Sequence, residues 1–231
     1  MSVTLYIDIE TAPEFEEFDQ MPPDGQASFT KKFRTEVEKL KYATIQEAYK
    51  NEASLYAEWS RIICLGVGCV IKDSNDEGKE KFYVKGLIGT EDEIFTAFLK
   101  IIEHQSPNLL VAHLGKIFDF PFLCRRLMIK RYVLPPILNT RNKKPWDVLW
   151  ECTAEMWSCT DKKHYVSLIT MAYVFGIPSP KVTLDGSKVM AAWFEGKINE
   201  IKEYCIDDVF TLGRIHRKLL SLPDITEIIR K

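Results

Sequence analysis

Asp8 and Glu10 stand two residues apart at the end of an apolar run, and theirs is the one Asp-x-Glu of the chain. If Val3 to Glu10 is a strand, its period of two puts Val3, Leu5, Ile7 and Ile9 on one face and Thr4, Tyr6, Asp8 and Glu10 on the other. The two acids are then roughly 6–7 Å apart at Cα, a separation that suits chelation of a hard cation. Acids at a strand end are ordinarily solvated, so the pair gains meaning only in company. Asp208 supplies some. It falls inside the apolar stripe Ile201, Tyr204, Cys205, Val209, Leu212, Ile215 and Leu219 of a helical stretch, where a carboxylate must be neutralised, salt-bridged or bound to metal. Tyr204 projects from the same face one turn earlier, whereas Asp207 lies off to the side. Asp119 follows a buried strand and precedes Pro121, so it reads either as a helix N-cap or as a ligand at a strand end. Should Asp8, Glu10, Asp119 and Asp208 converge, their charges need counter-charge, and two divalent cations balance them. Oxygen-only ligands favour Mg²⁺ or Mn²⁺ over Zn²⁺, and two such ions can clamp an in-line phosphoryl displacement.

The elements that must position these residues follow from the apolar periodicity. Ile62 to Ile71 is a nearly continuous buried strand, Asp73 to Gly78 a turn, and Lys81 to Leu87 the second arm of a hairpin. Thr90-Glu91-Asp92-Glu93 opens a helix through a capping box. Leu109 to Ala112 is a short buried strand, and a helix runs from about Phe120 to Lys130. Pro135 to His164 reads mostly as loop, with a short helix near Ala154 to Trp157. Helices are expected over Tyr165 to Phe175, Ser187 to Phe194 and Ile198 to Leu220. Residues 13–58 read as an acidic loop and one or two helices inserted between strands, with too few apolar residues for a core of their own. The order implies an α/β fold with a mixed central sheet in a single domain spanning residues 1–231. With a net charge of −2, nothing global advertises nucleic-acid binding, and any basic surface must be local. The apolar runs are too short to span a membrane, and the six scattered cysteines show no zinc spacing, so the expectation is a reduced, cytoplasmic protein.

Taken together, Asp8-Ile9-Glu10, Phe118-Asp119 and Tyr204-Cys205-Ile206-Asp207-Asp208 resemble the three motifs of the DEDD 3′–5′ exonucleases of the ribonuclease H-like superfamily. The Tyr-x-x-x-Asp form resembles the Tyr-type subclass. The chain is similar, more closely, to stand-alone bacterial proteins akin to the proofreading domain of family B DNA polymerases. That likeness rests on Gly115-Lys116, on Phe118 to Leu123, on Leu168 to Pro180, on Asp185-Gly186-Ser187 and on the third motif. Two departures stand out: Leu114 where the family has Asn before Gly115, and Cys152 where it has Asp shortly before Thr153.

The resemblance implies a ribonuclease H-like sheet of about five strands flanked by helices. It implies Asp8, Glu10, Asp119 and Asp208 as ligands of two Mg²⁺ or Mn²⁺ ions, with Tyr204 orienting the attacking water. The partner would be a single-stranded or frayed 3′ DNA end, with RNA as the alternative, and the product a nucleoside 5′-monophosphate. Thr11, Lys116, Phe118, Phe122 and Arg126 are the residues expected to contact it, and Arg125, Lys130, Arg131, Arg141, Lys143, Lys144, Lys162 and Lys163 could track its backbone. His113, His164 and His216 are expected to be structural or surface residues. A binding module that has lost catalysis is the competing reading. An aspartyl-nucleophile phosphatase is disfavoured, because that chemistry wants Asp where Glu10 stands and leaves Tyr204 idle.

Overall fold

The computed structural model describes residues 3–72, 79–161, 163–178, 184 and 186–231. The expected turn at Asp73 to Gly78, Lys162, residues 179–183 and Asp185 lie outside them. In chain order the elements are β1 (Thr4–Pro13), α1 (Pro23–Glu38), α2 (Ile45–Glu52), β2 (Ser60–Lys72), β3 (Glu80–Ile88), α3 (Glu91–Gln105), β4 (Leu109–Ala112), α4 (Asp119–Ile129), β5 (Trp150–Cys152), α5 (Thr153–Ser158), α6 (Leu168–Val174), α7 (Val189–Phe194), α8 (Ile198–Leu219) and β6 (Ile228–Arg230).

β1 is central in a mixed sheet of order β5-β4-β1-β2-β3-β6, one strand more than expected. It runs antiparallel to β2, with Asp8 opposite Gly66 and Glu10 opposite Cys64, and parallel to β4. The alternation along β1 sorts its residues as the period of two demands. Leu5, Ile7 and Ile9 join the core beneath α3 and α4, with Phe95, Phe98, Phe120 and Leu123. Tyr6 faces the opposite layer, where Ile206, Val209 and Leu212 of α8 cover the sheet.

α8 lies unusually close to β2. A Cβ added to Gly66 would come within 2.6 Å of Val209 and 2.8 Å of the Cys205 sulfur, and one on Gly68 within 2.6 Å of Phe82. Glycine is required there by close approach rather than by dihedral angle, and the contact brings Tyr204 and Asp208 down to the level of Asp8.

Two expectations need correction. Residues 13–58 do form a core of their own, in which Phe18, Met21, Phe29, Phe33 and Tyr49 pack with Trp59 at its edge. Six aromatic rings in mutual contact need few aliphatic neighbours, because each ring buries a large apolar area. The second correction concerns β5 and β6, three residues each, which pair in parallel at the two edges of the sheet. Strands so short carry no readable periodicity.

Candidate active site

The short parallel strands β4 and β5 end beside the middle of β1, which runs on to Pro13, and the acids gather at that level. Asp8 and Glu10 project from β1 just before a bulge between Glu10 and Thr11. Asp119 is the first residue of α4, not its N-cap, which is Phe118. Its Oδ1 accepts the backbone N–H of Ile9 at 3.2 Å, which ties the start of α4 to the strand between the two β1 acids. The turn before it bends at Leu114, whose φ of 57° is left-handed, and Gly115 leaves no room for a Cβ against Ala112. Leu114 offers its carbonyl to the N–H groups of Ile117 and Phe118. Asp208 comes from α8, and Tyr204, one turn earlier, hydrogen-bonds to its carboxylate.

Among the described residues no Lys or Arg pairs with Asp8, Glu10, Asp119 or Asp208. Their electrostatics follow from that. Burial, then the charges of Glu10, Asp119 and Asp208, push the Asp8 carboxyl well above the usual range. Burial and Asp208 do the same to Glu10. Burial raises Asp119 to about 7 against two backbone hydrogen bonds that lower it, and raises Asp208 to about 6. The Tyr204 phenol is raised too, by burial and the nearby carboxylates, so it stays protonated at neutral pH. Asp207, by contrast, pairs with Arg230 of β6. Four oxygen donors with unbalanced charge, and no His among them, fit hard divalent cations.

One neighbour was not anticipated. The thiol of Cys205 lies 3.4 Å from Asp8 Oδ2 and 3.6 Å from the Asp8 carbonyl, and it also touches Cys64. Asp8, Glu10 and Cys205 place one ligand atom each within 4.8 Å of one another. The signal was its position in the apolar stripe directly after Tyr204, where a thiol passes for an ordinary core residue.

The expected substrate residues fare differently. Phe118 is half-buried and touches Phe122 at 5.5 Å between ring centroids. Phe122, at 1% exposure, is core and presents no face for a base. Arg126 is likewise withdrawn: its guanidinium forms a buried fork with Glu91 at 2.6 and 2.8 Å and donates to the Ala57 carbonyl. Lys116 pairs with Glu155 of α5 at 2.8 Å, and the Thr11 hydroxyl donates to the Ser54 carbonyl, linking β1 to the insert. His113 bonds Thr153 and Val166, His216 lies between Tyr6 and Glu151, and His164 pairs with Asp161 at the surface.

Residues 55–212 match the family described as predicted 3′–5′ exonucleases related to the exonuclease domain of PolB. The chain belongs to that family. The matched stretch of this exonuclease-related chain contains Asp119, Tyr204 and Asp208, while Asp8 and Glu10 precede it. In fold it is similar to the family B DNA polymerase of the hyperthermophilic archaeon Pyrobaculum calidifontis, with a TM-score of 0.60 and 17% identity. That likeness covers 95% of this chain and 25% of the polymerase, so the chain spans about a quarter of the polymerase's length. No curated protein matches it. Among the described residues no helix is long and apolar enough to cross a membrane.

Proposed function

We propose that this protein is a metal-dependent 3′–5′ exonuclease that releases nucleoside 5′-monophosphates from 3′ ends of DNA, single-stranded by preference. What carries the reading is the convergence of four carboxylates with no Lys or Arg paired to them among the described residues, with Tyr204 bonded to one of them, in a chain of this family. Asp8, Glu10, Asp119 and Asp208 would hold two divalent cations, Mg²⁺ or Mn²⁺. Bound there, such ions supply a lowered pKa for an attacking water and charge stabilisation for the scissile phosphate.

The chain's own groups do the rest. Asp119 anchors on Ile9 N–H, so its carboxyl is fixed relative to the β1 acids before any ligand arrives. Tyr204 stays a phenol and holds its proton toward the Asp208 side of the site, where it can orient a water but not deprotonate it. The half-buried Phe118 flanks Asp119 and offers a surface for the terminal base.

The test is digestion of 3′-extended DNA, with RNA alongside, in Mg²⁺, Mn²⁺ or EDTA. Stepwise shortening from the 3′ end is expected in metal and none in EDTA. Asp8→Ala and Asp208→Ala should each cost at least about a hundredfold. Tyr204→Phe should be slower by about tenfold to a hundredfold and still bind metal. Stable binding of the strand with no shortening in either metal overturns the nuclease reading.

A further inference from the structure

The charge of the chain is unevenly placed. Between Pro121 and Trp150 there are seven cations, Arg125, Arg126, Lys130, Arg131, Arg141, Lys143 and Lys144, against the single carboxylate of Asp147, although the whole chain carries −2. The structure divides the seven. Arg126 is neutralised by Glu91, and Lys130 by Asp92 at 2.9 Å. Arg125, Arg131, Arg141, Lys143 and Lys144 have no carboxylate partner among the described residues. Lys143 donates to the Pro136 carbonyl at 2.9 Å, and Lys144 lies 5.3 Å from the centroid of the Trp146 ring.

Two of these cations, Arg125 and Arg141, line a groove of about 340 Å³. Its lining includes Pro121, Arg125 and Met128 of α4, Asn139 and Arg141 of the following loop, and Trp150 of β5. The loop then continues through Lys144 to Trp146, whose indole is 76% exposed. The groove starts beside the acids, since Pro121 is two residues past Asp119. Arg125 is six residues past it, about 9 Å of helix rise.

We infer that this groove, lined by Pro121, Arg125 and Arg141, together with the loop beyond it that carries Lys144 and Trp146, is the track for the single-stranded polynucleotide upstream of the 3′ terminus. Arg125, Arg141 and Lys144 meet successive phosphates, and Trp146 stacks on a base. The inference rests on the proposed function, because it is the acids that give the strand a direction. An acidic peptide would satisfy the same cations but has no use for an exposed indole at the far end of a phosphodiester site. DNA and RNA single strands share the recognised chemistry.

Binding is measured by fluorescence anisotropy of labelled oligothymidylate and oligouridylate on Asp208→Ala protein in EDTA, where no cleavage occurs. Digestion by the parent protein tests the proposed function separately. Adding Arg125→Ala, Arg141→Ala and Lys144→Ala together should lower the slope of log K against log salt by about 2, and weaken binding by about tenfold or more. Trp146→Ala should weaken binding about tenfold with the slope unchanged, which keeps the inference testable if the triple variant folds poorly. A control that removes three exposed lysines elsewhere, Lys31→Ala, Lys39→Ala and Lys100→Ala, should leave the slope as it was. Affinity for either strand that behaves this way supports the track. Equal slopes for the triple variant and the control, or displacement of the strand by polyglutamate at equal charge concentration, overturn it.

Discussion

A carboxyl that sits in the folded protein at an elevated pKa reports its own cost. Asp119 and Asp208 are raised to about 7 and about 6 from an ordinary 3.8, mainly by burial. Over the window from about pH 4 to about pH 7 the folded, metal-free chain therefore binds more protons than the unfolded one. The stability these groups contribute is complete below that window and is lost as pH rises through it. Asp92, Glu52 and Asp224 are held low instead, by Lys130, by Lys41 with Tyr42, and by Arg214, and their contribution has the opposite sign, being lost as pH falls from their ordinary values of 3.8 and 4.5. In EDTA the melting temperature should fall between about pH 5 and about pH 7.5, and added Mn²⁺ should raise it more at the higher pH. Asp119→Asn, whose amide oxygen can still accept from Ile9 N–H, should flatten the decline. A melting temperature indifferent to both EDTA and pH would remove the argument that these acids are uncompensated.

Between elements, the decisive contact is α8 against β2. Gly66→Ala would force its methyl into Val209 and the Cys205 sulfur, at 2.6 and 2.8 Å. Overpacking of that kind costs about 1–3 kcal/mol and would lift Asp208 away from Asp8. The expected outcome is a lower melting temperature together with a smaller increment on adding Mn²⁺; a lower melting temperature with the full increment would show that the acids tolerate the shift. Much of this layer was legible in the sequence. The period of two in β1 and the stripe of α8 put Asp8, Glu10, Tyr204 and Asp208 on the faces that meet. Other features were not. Nothing local distinguishes Arg126, buried against Glu91, from Arg125, one residue earlier and without a carboxylate partner among the described residues, because helix phase and the placement of α3 decide between them. Leu114 at a positive φ is equally silent, since only the turn into α4 imposes it.

Over the whole molecule, the aromatic core of residues 13–58 stands apart from the cores on the two faces of the sheet. It is tied to β1 by Thr11 to Ser54, and just past that strand Glu14 N–H donates to the Trp59 carbonyl at 2.9 Å, at the foot of β2. Clusters built this separately can open on their own, so Phe29→Ala should speed amide exchange in α1 and α2 well before it does so in β1 or α8. Uniform acceleration across all four would mean that the aromatic core and the sheet unfold as one. The contact of Cys205 with Asp8 joins residues 197 apart in sequence, and Tyr6 with His216 joins residues 210 apart. A chain leaving the ribosome thus exposes Asp8 and Glu10 long before α8 exists to complete the constellation. On the proposed function, attack on a nucleic-acid strand therefore waits on the docking of α8 rather than on the synthesis of the first two ligands.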